Sequence, residues 1–139
     1  MYQIVIASHG PMANAMKESL QFFFKNLENV HTVVIDKDGI SKFSSSVNNL
    51  LNQLKQEEVL VFVDLFYGTP FNEFARQGVI LEKDFDIIAG INMASLMEAV
   101  SYQEQEKKLS EVLTMIIDAG KVHSFKEILA TQKITEDDE

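Results

Sequence analysis

Two side chains in this sequence combine reactive chemistry with a telling position, His9 and Asp64. Each ends an apolar run. Ile4-Val5-Ile6-Ala7-Ser8 leads into His9-Gly10-Pro11. Val59-Leu60-Val61-Phe62-Val63 leads into Asp64, and Gly68-Thr69-Pro70-Phe71-Asn72 follows shortly after. Runs rich in β-branched residues and bounded by glycine and proline read as buried strands. Each run therefore delivers its polar residue to a strand tip, just ahead of a turn and a helix start. A carboxylate that accepts a hydrogen bond from imidazole Nδ1–H fixes the tautomer and leaves the Nε2 lone pair facing outward as a nucleophile. It also stabilises the cation that forms when Nε2 attacks an electrophile. Backbone N–H groups at the two helix starts, over Gly10 to Met12 and Gly68 to Asn72, make an anion-binding setting, to which Thr69 adds a hydroxyl. An oriented histidine facing an anion cradle suits the acceptance and release of a phosphoryl group, where positioning and electrostatics do most of the work.

The elements that must position these tips follow from the apolar spacing. Strands are expected at 3–8, 30–35, 58–64 and 85–89. Helices are expected at 11–25, 40–55 and 70–77, from Met93 onward with Asn92 as the cap, and at 105–119, ending at Gly120. The segment 122–129 reads either as an edge strand or as a last helical turn. Residues 1–133 make one domain, and the acidic stretch 134–139 is expected to fray. Strands alternating with helices imply a parallel sheet covered on both faces. With right-handed crossovers in so short a chain, the reading is an α/β, flavodoxin-like doubly wound fold of strand order 2-1-3-4. Strands one and three are then neighbours, about 4.8 Å apart, which brings His9 and Asp64 within hydrogen-bond reach.

Composition narrows the function classes. The chain has 139 residues and no cysteine, so disulfide frameworks and thiol chemistry are excluded. A net charge of −9 disfavours nucleic acid as a partner and suits a basic protein. No apolar run approaches a membrane span, and the first residues lack a signal-peptide pattern, so a cytoplasmic protein without direct membrane insertion is expected. No metal or cofactor is expected. His31 and His123 have no matching carboxylate in this reading and are assigned no chemistry. Phe66, Tyr67 and Phe71 flank the site, and either pack over the sheet edge or offer a rim to a protein partner.

These blocks, together with Ala89-Gly90-Ile91-Asn92-Met93 ahead of a helix containing Leu96 and Glu98, resemble the enzyme IIA component of the mannose family of the bacterial phosphoenolpyruvate-dependent sugar phosphotransferase system. The resemblance spans essentially the whole chain. It implies that His9 is transiently phosphorylated at Nε2, that Asp64 orients it, and that Gly10, Gly68 and Thr69 hold the phosphoryl oxygens. It implies the small carrier protein HPr as donor and an enzyme IIB protein or domain as acceptor, serving a membrane sugar transporter. It also implies a homodimer that exchanges an antiparallel C-terminal edge strand, which would lie at 121–130. Two departures stand out. Tyr67-Gly68-Thr69-Pro70 replaces a frequent Gly-Gly-Ser-Pro, and Pro11-Met12 replaces a bulkier apolar residue after the histidine turn. The alternatives are the phosphocarrier subunit of a dihydroxyacetone kinase, a non-catalytic flavodoxin-like binding module, and a hydrolase using His9 and Asp64 as base and orienter. The last lacks a serine or cysteine nucleophile at a matching tip.

Overall fold

The computed structural model describes the backbone of residues 1–137 and the side chains of residues 1–132. Its elements are β1 (Gln3–His9), α1 (Met12–Leu20), β2 (Val30–Ile35), α2 (Ile40–Gln53), β3 (Val59–Val63), α3 (Thr69–Gln77), β4 (Phe85–Ala89), α4 (Met93–Glu104), α5 (Leu109–Ala119) and α6 (Phe125–Asp137). The strands form one sheet of order β2-β1-β3-β4, every pair parallel. This is the expected doubly wound α/β arrangement.

Strand parity explains the layers. Ile4, Ile6, Leu60 and Phe62 face α1, α4 and α5, where they pack with Ala13, Leu20, Leu96, Val100 and Ile116. Val5, Ala7, Val59, Val61 and Val63 face α2 and α3, where they meet Phe43, Val47, Leu51 and Phe74. The central strands β1 and β3 are covered on both faces, so their sequences are continuous apolar runs instead of alternating ones. His9 has the parity of Val5 and Ala7, and Ser8 that of Ile4 and Ile6. The two residues therefore leave the strand toward opposite layers.

Three boundaries differ from the sequence reading. First, α1 stops at Leu20, although apolar spacing continues to Phe24. The Phe22 and Phe23 amides close tight turns onto Ser19 and Leu20, and the Asn26 side chain then bonds the Glu28 amide, which turns the chain toward β2. Second, the helix expected at 105–119 begins only at Leu109, because Glu106 takes φ 58° and separates α4 from α5. Third, the segment 122–129 is not a strand, and the exchanged fifth edge strand is absent from the described residues. Ser124 starts α6 instead, with its Oγ 3.4 Å from the Glu127 amide. Ser124-x-x-Glu127 is a capping-box pattern, a local helix signal that competes with any strand reading. The expectation of an acidic frayed stretch falls where side chains, and at 138–139 the backbone, lie outside the described residues.

Asn92 has two jobs. Its Oδ1 caps α4 by accepting from the Ser95 amide at 3.0 Å, and its Nδ2 donates to the Gly120 carbonyl at 2.7 Å where α5 ends. Replacing such a cap costs about 1–2 kcal/mol. Asn92→Ala is expected to lose that much in urea unfolding, and Asn92→Asp, which keeps only the cap, less than half of it.

Candidate active site

His9 is the last residue of β1 and Asp64 the first residue after β3. Because Ala7 pairs with Val63, the two tips emerge side by side. The His9 ring Nδ1 lies 2.9 Å from Asp64 Oδ2, and the His9 backbone N–H donates to the same oxygen at 2.9 Å. Asp64 Oδ1 accepts from the Leu65 amide at 3.0 Å. Burial pushes the Asp64 carboxyl up, but the hydrogen bonds from the His9 backbone and ring outweigh it and hold the group below the usual carboxylate range. An ionised carboxylate has no proton to give. Nδ1 is therefore the donor, and Nε2 keeps its lone pair. The His9 side chain is 45% exposed while that of Asp64 is only 12% exposed. The imidazole faces solvent and the carboxylate beside it is largely covered.

Two glycines serve the site for different reasons. Gly10 has φ 67° and open space where a Cβ would stand, so glycine is needed there for conformation. Gly68 has φ −76° and ψ 172°, an ordinary extended backbone, yet a Cβ on it would lie 3.0 Å from His9 Cε1. Glycine is needed there for space. The imidazole is seated between the Asp64 carboxylate and the Gly68 backbone.

The expected amide cradle is rearranged. The Gly10 N–H is already spent on the Ile35 carbonyl at 2.8 Å, so Gly10 shapes the turn instead of offering a donor. The Gly68 amide makes a long bond, 3.4 Å, to the Leu65 carbonyl. Thr69 is the first residue of α3. Among the described residues, the amides of Met12 and Asn14 at the start of α1, and of Thr69 and Phe71 at the start of α3, carry no hydrogen-bond acceptor. Such orphan donors are the normal anion-binding feature of a helix start.

Sequence reasoning missed two supports. Ser8 Oγ donates to the Gly10 carbonyl at 2.9 Å and accepts from the Ala13 amide at 2.8 Å, so a buried hydroxyl locks the turn that carries His9. Asn72 Nδ2 donates to the Tyr67 carbonyl at 3.2 Å and holds the other loop. The only available signal was a serine or asparagine within one turn of a helix start. His31 lies elsewhere, its Nε2 2.8 Å from Gln3 Oε1. Burial, and then the Lys17 charge, push its pKa down. His123 precedes α6 and, among the described residues, has no carboxylate partner.

Two outcomes test this geometry. Gly68→Ala is expected to keep the fold but displace the ring, so the hydrogen-bonded Nδ1–H resonance of His9 shifts or is lost in nuclear magnetic resonance spectra. A carboxyl held low in the folded state stabilises the protein above its ordinary pKa, about 3.9, and loses that contribution as pH falls through its folded value. The stability advantage of the wild type over Asp64→Asn in urea is therefore expected to be full near neutral pH and to be lost as pH falls through the lowered folded-state pKa of Asp64.

Comparison with known proteins identifies the family. The family model EIIA-man, described as PTS system fructose IIA component, matches residues 3–117. The chain is 33% identical over 106 residues to the PTS system fructose-specific EIIA component of Bacillus subtilis (strain 168), covering 75% of this chain and 72% of that protein. It is 25% identical over 116 residues to the sorbose-specific EIIA component of Lacticaseibacillus casei, covering 83% of each. Among solved structures, the phosphotransferase system component EIIA from Streptococcus agalactiae superposes with a TM-score of 0.79 at 25% identity, covering 91% of this chain and 99% of that one. The mannose/sorbose-specific IIA subunit from Enterococcus faecalis gives 0.73 at 27% identity, covering 88% and 94%. No helix among the described residues is long and apolar enough to cross a membrane. With the fold and a matching stretch of this length, the chain belongs to the mannose-type EIIA family of the phosphotransferase system, whose members are phosphotransferases in sugar uptake.

Proposed function

We propose that this protein is a cytoplasmic phosphoryl carrier in which His9 takes a phosphoryl group from phospho-HPr and passes it to an enzyme IIB component. The observation that carries this reading is the 2.9 Å contact between His9 Nδ1 and Asp64 Oδ2, with the ring half exposed beyond it. The Nε2 lone pair attacks phosphorus, and the N–P bond of the donor phosphohistidine breaks. The bonding pair returns to the donor imidazole, which becomes neutral, while the His9 ring, still carrying Nδ1–H, becomes cationic. Asp64 stabilises that cation. The orphan amides at the starts of α1 and α3 are placed to receive phosphoryl oxygens. Transfer to IIB runs the same step in the opposite sense. Relatives named for fructose, sorbose and mannose systems favour a sugar transporter over a dihydroxyacetone kinase as the destination. The working unit is a homodimer by resemblance to the family.

The test is incubation with phosphoenolpyruvate, enzyme I and HPr. One phosphoryl increment, labile to acid and stable to base, is expected on the wild type and absent from His9→Ala. Asp64→Ala is expected to fold normally and to be phosphorylated about a hundredfold more slowly. Equal labelling of His9→Ala removes the assignment, and an unchanged rate in Asp64→Ala removes the orienter.

A further inference from the structure

We propose that Tyr67 is a specificity-determining docking residue, whose ring, with that of Phe66, seats a phosphoryl-donor protein over His9. This inference rests on His9 being the phosphoryl acceptor.

Tyr67 has φ 63°. That left-handed conformation costs an L side chain free energy and costs glycine almost none. Within the fold the tyrosine gains only the ring contacts with Phe66 and Phe71. Its ring is 70% exposed, and among the described residues its hydroxyl makes no hydrogen bond. The backbone beneath the ring is nonetheless held firmly. Asn72 binds the Tyr67 carbonyl, and Gly68 follows directly, against the His9 ring. The loop thus holds a costly residue outward beside the nucleophile.

The surroundings point to a protein as the visitor. Tyr67 and Phe66 stack with ring centroids 4.1 Å apart, and Phe71 meets them at 5.5 and 4.8 Å. Leu65 and Phe66 are also exposed, and so is Met12 on the other side of His9. Rigid aromatic rings beside a site give large contact area at low entropic cost. A small free phosphoryl donor needs cations, and the charges here are the wrong ones. Asp64 is the one charged side chain hydrogen-bonded to His9 among the described residues. The Gly10–Ile35 bond places the Asp36–Asp38 loop alongside, where Lys37 is flanked by two aspartates and Lys42 is paired with Asp38. A groove of about 580 Å³ does exist beside β2, between Lys17 and Lys42, but His9 does not line it. A free anion finds only the uncharged amides of the helix starts here, whereas a protein that presents its phosphoryl group within an apolar, neutral-to-basic face also gains the aromatic rim and the attraction of a chain of net charge −9.

The experiment separates docking from chemistry by using two donors, phospho-HPr and the small molecule phosphoramidate, with the full chain. Tyr67→Gly is expected to unfold at the same urea concentration as the wild type or a higher one. Phosphoramidate is expected to label its His9 at the wild-type rate. The KM for phospho-HPr is expected to rise about tenfold, with kcat within about twofold. Tyr67→Asn, which tolerates the left-handed backbone, should give the same split, and Tyr67→Phe should restore KM. The proposal is overturned if KM stays within about twofold of the wild type in both variants. It is also overturned if labelling by the two donors falls in parallel, or if Tyr67→Gly is clearly less stable. A wild type labelled by phosphoramidate but never by phospho-HPr removes the carrier reading itself, and this inference with it.

Discussion

A single carboxylate oxygen ties this molecule together at its working end. Asp64 Oδ2 accepts from both the ring and the backbone of His9, so one atom aims the nucleophile and pins the tip of β1 to the tip of β3. As a stabilising ion pair the contact counts for little, because one partner is nearly half exposed and solvent screens it. Its importance lies in orientation. An imidazole free to rotate about its own side-chain bonds would present Nε2 in many directions. Here the carboxylate fixes Nδ1, and the missing Cβ of Gly68 leaves room for the ring at Cε1. The parallel pairing of β1 with β3 is what brings these groups together, so the sheet order is itself part of the site.

Much of this was legible in the sequence because it depends on local pattern plus one topological rule. The apolar runs ending in His9 and Asp64 are strands buried on both faces. Strand–helix alternation dictates a parallel sheet, and the 2-1-3-4 order makes the two tips neighbours. Asn92 was legible as a cap because a cap needs only its own helix. The unreadable parts depend on partners from other elements. The Gly10 amide seemed free until β2 supplied the Ile35 carbonyl. Gly68 seemed a turn glycine until the distance to a ring on another strand showed what it makes room for. Ser8 was placed on the correct face, but its hydroxyl's two bonds to the following turn follow from the path of α1. The C-terminal segment reads in sequence either as an edge strand, which the resemblance implies, or as a last helical turn; the structure has the helix, and Ser124-x-x-Glu127 is the local signal that favours it.

The two loops at the switch point share one design, although their sequences differ. Each follows a central strand, turns sharply, and starts a helix that keeps two first-turn amides without an acceptor among the described residues, Met12 and Asn14 in one and Thr69 and Phe71 in the other. Two helix N-termini converging beside one imidazole add partial positive charge, and they do so in a chain whose net charge is −9. That partial charge falls off within the first turn of each helix, so its favourable effect stays close to the two strand tips.

That confinement bears on what a carrier requires. A group that must be accepted and then surrendered cannot sit in a deep electrostatic well. An arginine or lysine clamp would hold the phosphoryl dianion tightly, and none is recorded on His9 among the described residues. Asp64 acts in both senses. It attracts the cationic ring that phosphorylation creates, and it repels the dianion on the far side of that ring. Coulomb energy scales as charge over distance. Two negative charges at roughly twice the distance repel the carboxylate about as much as one adjacent positive charge attracts it. The terms nearly cancel in the phosphorylated state. In the phosphoryl-carrier reading proposed above, the carboxylate would therefore set the direction of attack without committing the protein to keep the phosphoryl group, and the uncharged amides at the helix starts would guide it without trapping it.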